Sequence, residues 1–234
     1  MRAMVLAAGR GERMRPLTDT TPKPLLEVGG KPLIVHLLGA LERAGIRDVV
    51  VNLSWLGERI RAALGAGDGL GVRIAYSDEG PTALETGGGI VRALPLLGAE
   101  PFLVVSGDLW TDFDFRSLAL AAGAGVGAGA DADADAEIVL VPNPSHYPQG
   151  DFALTDDRVI EGGAERLTYA NIGLYRPEPF RRRAPGRFPL VEVLRELMAA
   201  GRLRGRVHHG AWVNVGTPGQ LAALDTRLRA GARG

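Results

Sequence analysis

The first half of the chain alternates between short apolar runs and longer segments whose apolar residues recur every three to four positions. Continuous apolar runs are typical of strands buried on both faces, and the longer spacing is typical of helices that cover a sheet. Strands alternating with helices predict a largely parallel sheet with helices on both faces. The predicted strands cover 3–8, 48–53, 72–76 and 102–105, and the predicted helices cover 32–44, 55–64 and 88–97.

The second half is less regular and mixes short strand patterns with two amphipathic helices. Its shorter strands are expected to pair antiparallel. The alternation of strands and helices predicts an α/β fold, and a length of 234 residues is expected for a single domain over 1–234. The predicted strands cover 137–141, parts of 151–160, 167–175 and 211–215, and the predicted helices cover 190–200 and 218–229.

A biased segment over 119–136 separates the two halves. Alanine and glycine make up most of it, and it closes with alternating aspartate and alanine. An acidic tract that binds metal is one interpretation, and a flexible surface loop is the other. The composition favours the loop, so we predict a flexible Ala/Gly/Asp loop between residues 1–115 and 137–234.

Composition and charge narrow the class of protein. Hydrophobic residues make up 46% of the chain and charged residues 23%, which is ordinary for a globular protein. The 27 basic and 27 acidic residues cancel, so we expect no nucleic-acid partner. The absence of cysteine excludes disulfides, thiolate metal sites and cysteine nucleophiles. No apolar run is long enough for an export signal or a membrane span, so we expect a cytoplasmic protein without a membrane partner.

A glycine-rich loop with basic side chains follows the first predicted strand. Gly9 and Gly11 let backbone amides approach an anion, and the arginines at 10, 13 and 15 and Lys23 add positive charge. The loop matches neither the Gly-x-x-x-x-Gly-Lys-Ser/Thr pattern nor the dinucleotide pattern Gly-x-Gly-x-x-Gly. A tight turn with solvated arginines is the alternative, but the position after a buried strand favours phosphate binding.

An aspartate follows the fourth predicted strand. Asp108 comes directly after Gly107, and the carboxyl ends of parallel strands meet at one edge of a sheet, so Asp108 should face the glycine loop. A carboxylate beside a phosphate loop is a suitable Mg²⁺ ligand, and an ordinary turn aspartate is the alternative. Asp112 and Asp114 lie nearby, where they are either outer groups of the metal site or a helix start, and we favour the helix start.

The segment LAAGRGERMRPLT at 6–18, followed by PKPL at 22–25, resembles the signature of the sugar-1-phosphate nucleotidyltransferases. The resemblance is strongest over 1–115. It implies a three-layer Rossmann-like fold with a mostly parallel mixed sheet, in which 1–115 bind the nucleotide and a smaller antiparallel portion within 137–234 binds the sugar. It also implies Mg²⁺-dependent transfer of a nucleoside monophosphate from an NTP to a sugar 1-phosphate.

The resemblance also implies roles for individual residues. Arg13 steadies the pyrophosphate leaving group, Lys23 holds the phosphates at the reacting centre, and Asp108 holds the catalytic Mg²⁺. The implied nucleotide-binding residues are Leu6, Ala8, Gly9, Gly11, Glu79 and Gly87.

The late element WVNVGTP at 212–218 departs from the family pattern. The family usually has an aspartate at the position of Asn214, where it supplies a second metal carboxylate. An amide oxygen ligates a hard cation but brings no charge, so we predict Asn214 as a weaker ligand. A catalytically inactive nucleotide-sugar sensor is the alternative that this departure raises.

The stretch LETGGGI at 84–90, with GDLWTD at 107–112, is similar to the N-acetylmuramic acid 1-phosphate uridylyltransferases of peptidoglycan recycling. This implies UTP as the nucleotide, although guanylyltransferases that act on mannose or heptose 1-phosphate share much of the pattern. The glycine triplet either admits a base or ribose close to the backbone or forms a simple flexible turn. We expect a monomer or a small homo-oligomer.

Four residues are candidate sugar contacts, and each is equally consistent with a turn or a strand end. His208 and His209 are adjacent and would point to opposite faces of a strand, so no shared metal site is expected there. The candidate sugar contacts are Trp110, Gly150, Asp151 and Asn171.

Overall fold

The computed structural model describes residues 1–124 and 134–231. The strands are β1 Arg2–Leu6, β2 Glu27–Val28, β3 Lys31–Pro32, β4 Asp48–Leu53, β5 Arg73–Asp78, β6 Phe102–Ser106, β7 Leu109–Thr111, β8 Ala136–Val141, β9 Phe152–Thr155, β10 Arg158–Ile160, β11 Arg166–Tyr175, β12 Leu203–Val207 and β13 Trp212–Asn214. The α-helices are α1 Leu17–Thr20, α2 Leu33–Arg43, α3 Gly57–Leu64, α4 Glu85–Leu97, α5 Arg116–Ala124, α6 Glu178–Arg181, α7 Leu190–Ala199 and α8 Pro218–Gly231. Short 3₁₀ helices cover Glu12–Met14, Lys23–Leu25 and Asp68–Leu70.

A nine-stranded mixed sheet organises the described part of the chain, with the strand order β5-β4-β1-β6-β11-β8-β12-β10-β9. β5, β4, β1 and β6 run parallel, as the alternation of strands and helices predicted. β11 runs antiparallel between β6 and β8, while β8 and β12 are parallel. β9 and β10 pair antiparallel at the far edge. The predicted α/β fold with a mixed sheet is confirmed.

Apolar side chains on the two faces of the sheet form two separate cores. On β1, Ala3 and Val5 join a core with α2, α3 and α5, whereas Met4 joins a core with α4, α6 and α7. Successive side chains of a strand point to opposite faces, so a strand covered on both faces is apolar at every position. This is why β1 has a continuous apolar run, and it gives the molecule its three layers.

A third, smaller core ties the glycine loop to the end of the chain. Met14 is fully buried and packs in one cluster with Leu33, Val215 and Leu224. Asp225 of α8 adds a polar tie, because its Oδ1 accepts a hydrogen bond of 2.8 Å from the backbone N–H of Gly29, between β2 and β3. The loop is therefore fixed by packing as well as by its own turns.

The sequence prediction missed β7 and β12. β7 is a three-residue strand that pairs antiparallel with β13. β12 carries two arginines, which break the apolar pattern of a buried strand. Arg206 forms an ion pair with Glu137, and Arg204 lies 3.2 Å from Asp157, so partners on neighbouring segments neutralise both charges.

The prediction of a flexible loop over 119–136 is wrong at both of its ends. α5 continues to Ala124, Ala134 is buried and Ala136 begins β8. Alanine is the strongest helix former, so a composition that resembles a linker also suits a helix. The rest of the segment, 125–133, lies outside the described residues. Among the described helices, none is both long and apolar enough to cross a membrane.

Candidate active site

The carboxyl ends of β1 and β6 open into a cavity of about 540 Å³, which we call the first cavity. Its walls come from the glycine loop, the 3₁₀ helix at Lys23 and the segment before α4. The two loops that were expected to share a crevice therefore do so. The predicted residues that line it are Leu6, Ala8, Gly9, Gly11, Arg13, Lys23, Glu79 and Asp108.

The glycine loop has a fixed shape. Gly11 has φ +66°, and a Cβ there would lie 2.9 Å from Cγ2 of Thr18. The carbonyl of Gly11 accepts hydrogen bonds of 2.8 Å from the Thr18 hydroxyl and from the backbone N–H of Met14. Only glycine fits this close turn, which leaves the loop's backbone facing the first cavity.

The arginines of the loop divide between different environments. Arg13 lines the first cavity, and Arg10 lines it while its guanidinium lies 4.6 Å from the centre of the Trp55 ring. Arg15 instead forms an exposed ion pair of 2.6 Å with Asp19 and does not line the cavity. The expectation that Arg15 adds charge to the phosphate site is therefore wrong.

Lys23 and Asp108 form an ion pair between Nζ and Oδ2 in the first cavity. Only 11% of the lysine side chain and 21% of the aspartate side chain are exposed to solvent. Gly107 holds the turn in place, because its N–H donates a hydrogen bond of 2.9 Å to the carbonyl of Leu6. The ends of β1 and β6 thus bring a basic and an acidic group from distant parts of the chain into contact.

Asp108 and Asn214 each keep a buried side-chain oxygen, Oδ1, that has no hydrogen-bond partner. The two residues are close in the fold, since Asn214 of β13 pairs with Leu109 and the N–H of Val215 donates to the carbonyl of Asp108. Buried oxygens without partners are costly, and a hard divalent cation accepts such oxygens as ligands. The pair fits Mg²⁺, which retains several waters and needs few protein ligands. Within residues 1–124 and 134–231 no group of three or more histidine, aspartate or glutamate side chains is placed to hold a metal.

Asn52 is a cavity residue that the sequence analysis missed. Its Oδ1 accepts a hydrogen bond of 2.6 Å from the N–H of Ala7, and its Nδ2 donates one of 2.7 Å to Glu79. The other oxygen of Glu79 accepts the N–H of Leu84 at 2.7 Å. Asn52 thereby links the glycine loop to the segment before α4. The sequence feature that could have identified Asn52 is the presence of a polar residue inside the valine-rich run of β4.

The glycine triplet does not form a binding turn, and Gly87 does not line the first cavity. All three glycines lie in the first turns of α4, where added Cβ atoms would collide with neighbours. At Gly87 the Cβ would lie 2.3 Å from the Phe188 ring, and at Gly88 it would lie 2.1 Å from the Gly186 carbonyl oxygen. The triplet lets α4 approach the second half of the chain, and a nucleotide contact at Gly87 stays a prediction.

A second cavity of about 490 Å³ lies beside the first, against β11 and the start of α7. Asp151 and Asn171 line it, as predicted. Asp151 accepts 2.8 Å hydrogen bonds from the hydroxyl of Tyr147 and the N–H of Tyr169. Asn171 has φ +57° and lies where the β11–β8 register shifts. Such strained positions cluster at binding sites.

The phenols of the second cavity are neutral at ordinary pH. The hydrogen bond to Asp151 raises the pKa of Tyr147. Burial raises the pKa of Tyr169, whose hydroxyl also lies 2.9 Å from that of Tyr175. Both residues therefore act as hydrogen-bonding groups without charge.

Two predicted sugar contacts do not line the second cavity. Trp110 lies on β7 with the guanidinium of Arg227 4.7 Å from its ring centre. Gly150 is buried at φ +60°, and a Cβ there would lie 2.9 Å from the carbonyl of Arg166. Gly150 therefore shapes the turn before Asp151, and its contact with a sugar stays a prediction.

The other singled-out acidic and histidine residues lie outside both cavities. Asp114 stands at the start of α5, where its Oδ1 accepts the N–H of Arg116 at 3.0 Å, as the helix-start interpretation requires. Asp112 pairs instead with Nε2 of His208 at 2.9 Å. β12 ends at Val207, so the two histidines follow the strand instead of lying in it.

The two cavities meet along a shared wall. Arg13 and Gly216 line both, and an ion pair between a lysine and an aspartate lies in the first cavity beside that wall. The residues common to both are Leu6, Arg13, Thr86 and Gly216. This arrangement can hold two ligands with their reacting ends together.

Known proteins resemble this chain along its whole length. A model of the family described as Nucleotidyl transferase matches residues 2–147. The chain belongs to the nucleotidyl transferase family. A protein of Neisseria meningitidis serogroup B named N-acetylmuramate alpha-1-phosphate uridylyltransferase is 50% identical to this nucleotidyl transferase over 221 residues, 93% of this chain and 94% of that protein. A protein of the same name from Caulobacter vibrioides is 38% identical over 233 residues, 97% of this chain and 96% of its own.

The solved structures agree with the fold of this nucleotidyl transferase. A crystal structure from Bacillus anthracis, described as a glucose-1-phosphate thymidylyltransferase, superposes with a TM-score of 0.84 and covers 98% of this chain and 95% of its own. Its sequence identity is 21%, so the likeness shows the fold alone. The family expected from the glycine-loop signature is confirmed.

Proposed function

We propose that the protein transfers UMP from UTP to N-acetylmuramic acid 1-phosphate, giving UDP-N-acetylmuramic acid and pyrophosphate in cytoplasmic peptidoglycan recycling. The observation that carries the proposal is the pair of cavities joined at Arg13 and Gly216, in a chain half identical to the Neisseria relative. The name of that relative supplies the nucleotide and the sugar.

In this proposal the first cavity holds UTP and the second holds the sugar, so residues 1–115 form the nucleotide half and 137–234 the sugar half. The backbone of the glycine loop and the guanidinium of Arg13 bind the triphosphate, because clustered N–H donors and cations suit phosphate oxygens. Asp151 accepts hydrogen bonds from sugar hydroxyls. Asn171 accepts hydrogen bonds from them or donates hydrogen bonds to them. Arg13 reaches both ligands because it lines both cavities.

The reaction is an in-line substitution at phosphorus. An oxygen of the sugar 1-phosphate attacks the α-phosphorus of UTP, and the bond from that phosphorus to the pyrophosphate oxygen breaks. The attacking oxygen is already anionic, so the protein needs no general base. Lys23 orients the reacting phosphates and Arg13 stabilises the negative charge of the departing pyrophosphate, so catalysis consists of positioning and charge neutralisation.

Asp108 and Asn214 are the residues that would hold Mg²⁺ in this site, through the two buried oxygens that have no hydrogen-bond partner. When bound there, the cation would neutralise charge on the reacting phosphates. Lys23 contacts the other oxygen of Asp108, which leaves Oδ1 for the cation.

The test is pyrophosphate release in the presence of Mg²⁺, with UTP, GTP, CTP, dTTP and ATP crossed against a panel of sugar 1-phosphates. The proposal predicts turnover with UTP and N-acetylmuramic acid 1-phosphate above all other pairs. Turnover with GTP and mannose or heptose 1-phosphate would support the proposed nucleotidyl transfer but overturn the proposed substrates. No turnover with any pair would favour the inactive sensor that Asn214 suggested.

A further inference from the structure

A side cavity of about 310 Å³ opens beside the second cavity, under the first turns of α8. The two cavities share His146, Trp212 and Gln220 among their lining residues. Beyond this shared opening the side cavity is lined by Val213, Ala223, Leu224 and Arg227. No aspartate or glutamate side chain lines it, so its charged groups are basic.

Arg227 is an exposed residue that supplies a cation to the side cavity. Its guanidinium stacks over the Trp110 ring at 4.7 Å from the ring centre, and the face of an aromatic ring attracts a cation. Among the described residues, no carboxylate lies within ion-pair distance of Arg227. A guanidinium carries five N–H donors in a planar fork, which suits a bidentate contact with a carboxylate.

His146 stands at the opening shared by the two cavities, and its hydrogen bonds define its tautomer. Gln220 accepts the N–H of Gly216 at 2.7 Å through Oε1, which assigns the other end of its amide as the donor. That end, Nε2, lies 3.3 Å from Nε2 of His146. The histidine nitrogen is therefore the acceptor, and the N–H of His146 is on Nδ1. His146, which lines both cavities, thus offers one ring N–H as a donor.

Other donors of the second cavity are already engaged. The Trp212 N–H donates to the carbonyl of Ala170 at 3.0 Å, and the Thr168 hydroxyl donates to Asn143 at 2.9 Å. The Tyr147 hydroxyl donates to Asp151. An anionic group that enters the side cavity meets the guanidinium of Arg227 and the ring of His146.

We propose that the side cavity binds a carboxylate-bearing ether substituent of the sugar, with Arg227 and His146 as its donors. The inference rests on the proposed function, because N-acetylmuramic acid differs from N-acetylglucosamine by a lactyl ether that ends in a carboxylate. Arg13 at the shared wall faces the phosphate end of the substrate, and the side cavity takes the other anionic end. Trp110 then contributes by positioning Arg227 and not by touching the sugar.

The test compares N-acetylmuramic acid 1-phosphate with N-acetylglucosamine 1-phosphate, using UTP and the full chain. Arg227→Gln and His146→Ala are each expected to lower kcat/KM for the muramyl substrate about tenfold or more, mainly through KM, because a charge-assisted hydrogen bond is lost. The rate with the glucosamine substrate should not change. Arg227→Lys should recover part of the loss. Arg59→Gln removes one exposed arginine on α3 and serves as the matched control.

The outcomes separate the subsite from the proposed function. A wild-type protein that prefers another sugar phosphate overturns both. A wild-type protein specific for the muramyl substrate, whose preference survives Arg227→Gln and His146→Ala, overturns the subsite alone. Equal losses of kcat/KM with both sugars, accompanied by a lower melting temperature, would assign Arg227 a role in stability. That result would also overturn the subsite.

Discussion

At the scale of single residues, the proposed metal site depends on two buried oxygen atoms that have no hydrogen-bond partner. Asp108 reaches the site from the end of β6, and Asn214 reaches it from β13. The ladder between β7 and β13 fixes their relative position, since Asn214 pairs with Leu109. Lys23 contacts the opposite oxygen of the same aspartate. The proposed metal site thus combines one carboxylate, one amide and one ammonium group, and the negative and positive charges balance.

Replacing the amide by a carboxylate should strengthen metal binding. Asn214→Asp adds a negative charge to a site that already holds Asp108, so we expect Mg²⁺ affinity to rise about tenfold, since ligand charge tunes affinity. Calorimetric titration with Mg²⁺ in the absence of substrate measures this. Asn171→Asp adds the same charge elsewhere in the second cavity and should leave Mg²⁺ affinity unchanged. An unaltered or weaker affinity in Asn214→Asp would contradict the assignment of Asn214 as a ligand.

Asn52 is expected to position the UTP site without touching the reacting atoms. Asn52→Ala leaves the N–H of Ala7 and one oxygen of Glu79 without a partner, which should cost about 1–3 kcal/mol of unfolding free energy. We expect KM for UTP to rise about tenfold, with a smaller change in kcat, in steady-state kinetics. Ser54→Ala is the control, because Ser54 bonds to Gly80 at 2.9 Å outside the cavity. A matching KM change in both variants would contradict the positioning role.

At the scale of elements, the contact of α4 with the segment before α7 joins the two halves. The N–H of Gly88 donates to the carbonyl of Phe188, and the N–H of Phe188 donates to the carbonyl of Leu84, both at 3.2 Å. Arg187 adds an ion pair of 2.9 Å with Glu85. Thr86, in the first turn of α4, lines both cavities. The packing of this helix therefore also sets the width of the site.

Adding one methyl group at this contact should separate the halves. In Gly88→Ala the new Cβ would lie 2.1 Å from a backbone oxygen, which cannot move as a side-chain end can. We expect a loss of at least about 2 kcal/mol of unfolding free energy, measured by urea denaturation. Gly219→Ala in α8 is the matched control, because no atom lies within 4 Å of the added Cβ, and helix propensity should make it neutral or stabilising. Equal stabilities of the two variants would refute this account of the triplet.

At the scale of the whole molecule, the sequence was sufficient for the parallel half of the sheet and for the crevice that brings Lys23 and Asp108 together. The strand over 48–53 was predicted with the bounds of β4, because a strand buried on both faces is apolar throughout. Lys23 and Asp108 were predicted in one crevice because parallel strands end at one edge.

Other features depend on contacts between distant segments, which local patterns do not encode. Gly87 looked like part of a binding turn, but the lack of a side chain there leaves room for the ring of Phe188. That residue lies about a hundred positions later in the sequence. Trp110 looked like a sugar contact, but it stacks with Arg227 of the last helix. β12 was missed because its two arginines break the apolar pattern of a buried strand. The acidic residues that neutralise them lie elsewhere in the sequence.

The most direct test of the account is product analysis by mass spectrometry with UTP, N-acetylmuramic acid 1-phosphate and Mg²⁺, comparing the wild-type protein with Asp108→Ala. The account predicts UDP-N-acetylmuramic acid and pyrophosphate in equal amounts from the wild type. It predicts a rate at least about a thousandfold lower from Asp108→Ala, since charge stabilisation at the reacting phosphates is lost. The absence of a UDP-sugar from the wild-type reaction, or an equal rate from Asp108→Ala, would contradict it.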